Sequence, residues 1–116
     1  MFFTIGTDII EIDNFSYDKH DRFLVNNFSS NELEYCYSKE DPKPHIAARF
    51  AGKEAVIKAL NSRGVKTIRF GEIEILNDTD GAPHVTILKP VGIDMNIEIS
   101  LSHCKDKALA FVLIWG

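Results

Sequence analysis

The chain lacks the features that would place it in a membrane, outside the cell or on nucleic acid. Its longest apolar run near the end, residues 108–115, is too short to span a bilayer, so we expect no membrane association. No basic segment opens the chain, and Asp8 and Glu11 follow at once, which argues against a secretory signal. Acidic residues outnumber basic ones, 17 against 13, which argues against general nucleic-acid binding.

Cysteine is also scarce. Cys36 and Cys104 are the two present, and they lie far apart without the spacing of metal ligands. We interpret them as reduced thiols of a cytoplasmic protein.

The sequence has no Walker loop, dinucleotide fingerprint, zinc spacing or nucleophile elbow. Its 116 residues, without repeat or linker, predict one domain over residues 1–116.

The first third of the chain is expected to contain one strand and one short helix. Apolar residues predict a strand over residues 2–10, followed by a partly helical segment over 11–26. Ser29, with Glu32 three positions later, forms a capping-box pattern. This pattern predicts a short helix that continues through Tyr37.

A long helix is predicted at the centre of the chain, over residues 45–61. The segment 41–44, which contains two prolines, predicts a break before this helix, and Gly64 predicts its stop. One apolar stripe along the helix is expected to face the core and consists of Ile46, Phe50, Ile57 and Leu60.

The last part of the chain alternates polar and apolar residues, as strands do. Strands are expected over residues 67–75 with a bulge at 71–72, and over residues 85–88, 97–101 and 108–115. Ile114 and Trp115 are expected to be buried. Because helices precede consecutive strands, we predict an α+β fold, with an antiparallel sheet packed against one long helix and shorter helices.

Two acidic residues are candidate metal ligands. Asp8 follows apolar strand residues, and Glu54 lies on the long helix one turn before Lys58. Asp8 taken alone is also consistent with a turn residue, and Glu54 with a surface ion pair. If the fold brings the two carboxylates together, they form an oxygen site suited to Mg²⁺, which takes one or two carboxylates plus phosphate oxygens. Glu11 is a weaker third candidate.

The long helix also carries positive charges suited to phosphate. Lys58 shares the face of the acidic candidate, while Arg49 and Lys53 lie on a neighbouring face. Their alternative role is helix solubility. Ala47 and Ala51 lie on the same face of the helix as Glu54 and have small side chains, so we expect room there for a ligand.

Two further positions are candidate ligand contacts. His103 ends a predicted strand beside the hydroxyls of Ser100 and Ser102, at a sheet edge where ligands often bind. Gly81 lies in a tight turn and has no side chain to keep a ligand from the backbone. The remaining histidines are expected at the surface and are His20, His45 and His84.

Four segments in order carry a resemblance. They are Ile5–Ile12, Arg49–Ala55, Asp80–Pro83 and Ser100–Ala110. With them the chain resembles the holo-acyl-carrier-protein synthase family, the small 4'-phosphopantetheinyl transferases. The most specific part is the pairing of Gly-x-Asp-Ile-x-Glu with Arg-Phe-x-x-Lys-Glu-Ala at this separation.

The resemblance implies a reaction in fatty acid or related lipid biosynthesis. Phosphopantetheine would pass from coenzyme A to a serine of an acyl carrier protein, with release of adenosine 3',5'-bisphosphate. Asp8 and Glu54 would hold Mg²⁺, and Lys58 would contact the phosphates and steady the leaving group. Glu54, directly or through a metal-bound water, is the candidate acceptor of the serine proton.

The resemblance also implies contacts with coenzyme A and an assembly. Arg49 and His103 match phosphate contacts, and Gly81, Pro83 and Ser102 match positions around the nucleotide. The family forms homotrimers with each site at a subunit boundary. The metal ligands and the lysine would then come from one subunit, and the glycine turn and the histidine from its neighbour.

The chain departs from the family pattern at three places. Asn14 stands where family members carry a basic residue that holds the acidic carrier protein, and Arg22 or Lys19 is the candidate replacement. Ala82 replaces a lysine in the family's Gly-Lys-Pro turn, and Asn61–Gly64 replaces a Gly-Thr-Gly segment. We therefore expect an unusual or dedicated carrier.

Two other functions remain open from the sequence. One is a different Mg²⁺-dependent phosphate enzyme, such as a small hydrolase acting on a nucleotide. The other is a non-catalytic module that binds coenzyme A or a carrier protein.

Overall fold

The computed structural model describes residues 1–116, in which one strand precedes three helices and four further strands. The strands are β1 (Phe3–Glu11), β2 (Ile73–Asn77), β3 (Pro83–Ile87), β4 (Asn96–His103) and β5 (Lys107–Trp115). The helices are α1 (Arg22–Asn27), α2 (Ser30–Tyr37) and α3 (Pro42–Ser62). Single 3₁₀ turns lie at Ile12–Asn14 and Phe70–Glu72.

The strands form two antiparallel sheets. β5 lies between β1 and β4 in a three-stranded sheet, and β2 pairs with β3 in a separate hairpin. The predicted α+β class is confirmed, although the strands are divided over two sheets. The register places Asp8 opposite Ala110 and His103 opposite Ala108. Both candidate residues therefore lie within the same sheet.

α3 packs very closely against the three-stranded sheet. A Cβ atom on Gly6 would lie 1.9 Å from the carbonyl oxygen of Ala55, so no other residue fits at this crossing without movement of the helix. Ala47 and Ala51 are completely buried in the same contact region. The expectation that these alanines leave room for a ligand is wrong, because their small size lets the sheet approach instead.

The apolar stripe of α3 is largely confirmed. Ile46, Phe50 and Leu60 are buried, whereas Ile57 is only partly buried. At the end of the chain Ile114 is buried as expected and Trp115 only partly so. The buried apolar residues form two clusters, and α3 contributes residues to both. This helix therefore forms the centre of the core.

The helix boundaries follow local chemistry, with one correction. The Ser29 capping box is present, and Gly64 follows α3 with a positive φ of 92°. The break predicted at residues 41–44 lies earlier, at residues 38–41, because Pro42 starts the helix and Asp41 caps it through the backbone N–H of Lys43. Proline is compatible with a first helical turn, where its missing N–H would have no partner.

The change of phase near Gly71 has a different cause from the predicted bulge. Phe70–Glu72 forms a 3₁₀ turn, and β2 begins only at Ile73. Residues 67–69 are not in a strand. The turn, rather than an extra strand residue, changes which side chains face the core.

The sheet leaves an apolar outer face, turned away from α3. Its exposed side chains, with their exposed fractions, are Phe3 (75%), Ile5 (57%), Ile9 (61%), Leu109 (43%) and Phe111 (48%). Exposed apolar surface of this kind usually marks an interaction site. None of the three helices has the length and apolar character needed to cross a membrane.

Both cysteines are free, as predicted. Cys36 is completely buried, and this burial raises the pKa of its thiol to about 11. Cys104 is exposed in the turn between β4 and β5.

Candidate active site

The carboxyl groups of Asp8 and Glu54 meet between β1 and α3. Burial raises the pKa of Glu54, and the Asp8 carboxylate raises it further through charge repulsion and a hydrogen bond. Lys58 opposes these effects with its positive charge. The fold thus brings together the two acids that the sequence predicted as metal ligands.

Lys58 lies beside this acidic pair. Its ammonium nitrogen lies 3.2 Å from Asp8 Oδ1 and 3.0 Å from the carbonyl oxygen of Thr7. The lysine side chain is 55% exposed, so it can leave these partners for a bound anion. Together Glu54 and Lys58 border a cavity of about 230 Å³ that Ile57 and Phe70 also line.

A larger groove continues from this cavity. It has a volume of about 720 Å³ and shares Ile57 and Phe70 with the cavity. Its walls are the carboxyl end of α1, at Asn26 and Asn27, and the 3₁₀ turn Phe70–Glu72. A substrate therefore has a path along the surface to the two carboxylates.

Glu11 does not join the acidic pair. Strand alternation places its side chain on the opposite face of β1 from Asp8, and it forms a salt bridge of 3.2 Å with Lys107. No cluster of three or more His, Cys, Asp or Glu side chains is placed to hold a metal. The prediction of Glu11 as a third ligand is wrong, and the candidate metal site has two protein carboxylates.

Arg49 belongs to a second group of predicted residues. It is only 2% exposed, and its guanidinium donates hydrogen bonds to the carbonyl oxygen of Ile75 and to Asn77 Oδ1. Asn77 in turn donates to the carbonyl oxygen of Gly81 at 2.8 Å. Pro83, the first residue of β3, pairs with Asn77 in the hairpin. Arg49 thus supports the predicted nucleotide turn, and its phosphate contact stays a prediction.

His45 is a member of this second group that the sequence analysis missed. Its ring lies 6.3 Å from the ring of His103, and its carbonyl oxygen accepts a hydrogen bond from Arg49 at 3.3 Å. Burial, followed by the charge of Arg49, lowers the pKa of His45. The available signal was helical spacing, because His45 lies one turn before Arg49.

Positive charge collects around these histidines. The ring of Tyr35 lies 4.4 Å from the Arg49 guanidinium carbon and 4.5 Å from Lys39 Nζ. The same ring lies 6.3 Å from that of His45. This arrangement suits an anion, since cations and donors converge there.

Lys53 is not available to a phosphate. Its side chain is completely buried and forms a salt bridge of 2.7 Å with Glu32. Burial lowers the pKa of Lys53, and the Glu32 carboxylate opposes that effect. The prediction that Lys53 neutralises phosphate at the surface is therefore wrong.

The two groups lie on different sides of α3. Arg49 and Glu54 are five residues apart, which separates them by about 140° around the helix axis.

Ser102 pairs with Leu109 and is exposed on the outer face of the sheet, opposite to the face of His103. The expectation that His103 sits beside the neighbouring hydroxyls is wrong for a single subunit.

Comparison with known proteins identifies the family. A sequence model of the 4'-phosphopantetheinyl transferase superfamily matches residues 4–112. The chain belongs to this superfamily. The predicted resemblance is thereby confirmed over nearly the whole chain.

Curated relatives within the superfamily share one name. A holo-[acyl-carrier-protein] synthase of Thermodesulfovibrio yellowstonii is 42% identical over 113 residues, which cover 95% of this chain and 96% of that protein. The synthase of Chlorobaculum tepidum is 40% identical over 112 residues, which cover 94% and 95%.

Solved structures of superfamily members have the same fold. The complex of a Chronobacterium ammoniagenes ACPS with CoA superposes with a TM-score of 0.85 at 26% identity, covering 99% of this chain and 98% of that one. The Helicobacter pylori holo-[acyl-carrier-protein] synthase in complex with coenzyme A gives a TM-score of 0.76 at 30% identity, covering 96% and 99%.

Proposed function

We propose that this chain transfers 4'-phosphopantetheine from coenzyme A to a serine of an acyl carrier protein, as a holo-[acyl-carrier-protein] synthase. The observation that carries this proposal is the convergence of Asp8, Glu54 and Lys58 at the end of a surface groove. Its relatives bear the synthase name, and two structural neighbours were solved with coenzyme A.

The acidic pair suits Mg²⁺. Asp8 and Glu54 are close enough for repulsion to raise the pKa of Glu54, so a shared cation would relieve that repulsion. Magnesium takes one or two carboxylates and completes its shell with water and phosphate oxygens. When bound, Mg²⁺ would stabilise charge on the phosphoryl oxygens.

The residues of the chain support the transfer itself. The serine oxygen of the carrier forms a bond to the β-phosphorus of coenzyme A, and the bond from that phosphorus to the bridging oxygen breaks. Adenosine 3',5'-bisphosphate leaves with the electron pair, and Lys58 offsets its negative charge. Glu54 is the proposed acceptor of the serine proton, because its carboxylate borders the same cavity as Lys58.

The second group of residues is suited to the nucleotide portion of coenzyme A. Arg49 and His103 are the proposed phosphate contacts, with His45 beside them. The Gly81 turn is held in place through Asn77 and supplies exposed backbone. Pro83 and Ser102 complete the set that we propose around the nucleotide.

We further propose that the active unit is a homotrimer. The apolar outer face of β1 and β5 needs a cover, and a second copy of the chain can supply one. The two residue groups lie on different sides of α3, so the nucleotide group of one subunit would serve the acidic pair of its neighbour. Ser102, on the outer face, would lie at that boundary.

The carrier protein would dock near α1. Arg22 and Lys19 are exposed there. They are the proposed replacements for the basic residue that family members carry at the position of Asn14. The net charge of −4 opposes long-range attraction of an acidic carrier, which favours a dedicated partner. A cytoplasmic location and the absence of nucleic-acid and membrane partners remain predictions from the sequence.

Intact-mass spectrometry tests the proposed function. An acyl carrier protein is incubated with coenzyme A, Mg²⁺ and the chain, and we expect a gain of one phosphopantetheine on the carrier. Cleavage of coenzyme A without carrier modification would instead indicate a hydrolase. Binding of coenzyme A or carrier without any reaction would indicate a non-catalytic module.

A further inference from the structure

Lys53 holds an unusual number of partners for a residue without solvent contact. Its side chain is completely buried, and four oxygens surround its ammonium nitrogen. They are the carbonyl oxygen of Ile73 at 2.6 Å, Glu32 Oε1 at 2.7 Å, and the carbonyl oxygens of Asn27 at 2.8 Å and Phe70 at 3.1 Å. Three of the four partners are therefore backbone atoms.

These backbone atoms belong to the two walls of the groove. Phe70 begins the 3₁₀ turn and Ile73 follows it, so the ammonium holds the turn at both ends. Asn27 ends α1, which forms the facing wall. The walls nearly touch, because a Cβ atom on Gly71 would lie 3.0 Å from the carbonyl oxygen of Asn26.

Stability alone does not explain a lysine at this position. Removing an ammonium from water is costly, and well-packed apolar residues often replace a buried ion pair without loss of stability. A lysine differs from an apolar residue in that it binds several carbonyl oxygens at once. It therefore fixes the relative position of segments that do not otherwise pair.

We propose that Lys53 is a positioning residue for the transfer reaction, which holds the groove walls in the spacing that coenzyme A requires. Phe70 transmits the effect, because it also lines the cavity beside Glu54 and Lys58. Movement of the turn would change the space beside the reacting phosphates. This inference rests on the proposed function.

Two variants separate the carbonyl contacts from the ion pair. Lys53→Met removes both, whereas Glu32→Gln removes the charge pair and leaves Lys53 with its three carbonyl partners. We expect Lys53→Met to weaken coenzyme A binding at least tenfold by calorimetry and to speed hydrogen exchange in residues 68–73. The Mg²⁺ concentration for half-maximal activity should not change, because β1 and α3 hold the acidic pair. The affinity of Glu32→Gln for coenzyme A should stay within about threefold of that of wild type.

Several outcomes would overturn the proposal. One is wild-type coenzyme A affinity in folded Lys53→Met, and another is an equal loss in Glu32→Gln. Faster exchange throughout β1 and β5 would show general loosening instead. If Lys53→Met fails to fold, the double variant Lys53→Met/Glu32→Gln, which buries no lone charge, is compared with Glu32→Gln. Absence of transfer by wild type refutes the proposed function, while binding and exchange still decide the role of Lys53.

Discussion

Burial, followed by the carboxylate of Asp8 on β1, raises the pKa of Glu54 on α3, so an acid from a distant part of the chain opposes the ionisation of Glu54. Such repulsion costs stability in a metal-free protein. Its presence at the end of a groove is the arrangement expected where a cation and phosphate complete the site. The first two predictions test this relationship.

Glu54→Gln should keep the fold and abolish Mg²⁺-dependent transfer. Glutamine suits a helix, but the metal loses one of two anionic ligands and the serine loses its proton acceptor. Carrier modification is followed by mass spectrometry, with circular dichroism to check the fold. Transfer at the wild-type rate would show that the metal and proton assignments are wrong.

The metal-free stability of wild type relative to Glu54→Gln should depend on pH. Since the folded pKa of Glu54 lies above its ordinary value of 4.5, this group contributes stability below that pH. The contribution is lost as pH rises through the folded pKa. With a chelator present, the Tm of wild type should therefore fall relative to that of Glu54→Gln as the pH rises from 4 to 8.

Added Mg²⁺ provides the control for this pH effect. At pH 8 the ion should raise the Tm of wild type and leave that of Glu54→Gln nearly unchanged, because only the folded wild-type site binds it well. Parallel stability curves for the two proteins, with no response to Mg²⁺, would contradict the assignment.

His103→Ala should weaken coenzyme A binding by about tenfold or more. A hydrogen bond to a charged phosphate contributes about 1.5–3 kcal/mol, and 1.4 kcal/mol corresponds to a factor of ten. The matched control is His20→Ala, which removes an exposed histidine from the segment before α1. Equal calorimetric affinities for the two variants would give His103 a structural role.

Features set by neighbouring residues could be predicted from the sequence. The Ser29 capping box and the Gly64 stop depend on backbone chemistry within a few positions, and both are present. The face of Ser102 was also within reach, because strand alternation separates it from His103.

Features set by distant residues could not be predicted in the same way. A lysine in a helix usually reaches water, and the partners that bury Lys53 come from four other segments of the chain. The approach of Asp8 to Glu54 was predicted only through the family resemblance. No periodicity encodes that contact, since it arises when β1 packs on α3.

Phe50→Ala should lower the free energy of unfolding by about 3–5 kcal/mol. The Phe50 side chain is 7% exposed, and four aromatic rings surround it with centroid distances of 4.9–6.3 Å. The rings belong to Phe15, Phe23, Phe28 and Phe70. Leu88→Ala, at a half-exposed site, is the control and should cost far less in urea unfolding. Similar losses of unfolding free energy in Phe50→Ala and Leu88→Ala would show that this aromatic cluster is not part of the core.

Phe111→Asp should separate the subunits without unfolding them. Phe111 is 48% exposed on the outer sheet face, so a carboxylate there is hydrated in a single subunit but would be buried without a partner in the trimer. Light scattering should give three chain masses for wild type and one for the variant. Transfer should fall with dissociation, because the nucleotide group of one subunit no longer reaches the acidic pair of another.

Leu88→Asp serves as the control for this dissociation. Leu88 is similarly exposed, at 52%, but lies outside the three-stranded sheet, so its charge should leave both mass and activity unchanged. A wild-type protein that is monomeric and active would contradict a shared site, as would Phe111→Asp that is monomeric and fully active. In either case one chain would suffice for catalysis, and the nucleotide would have to reach Asp8 and Glu54 around α3 within a single subunit.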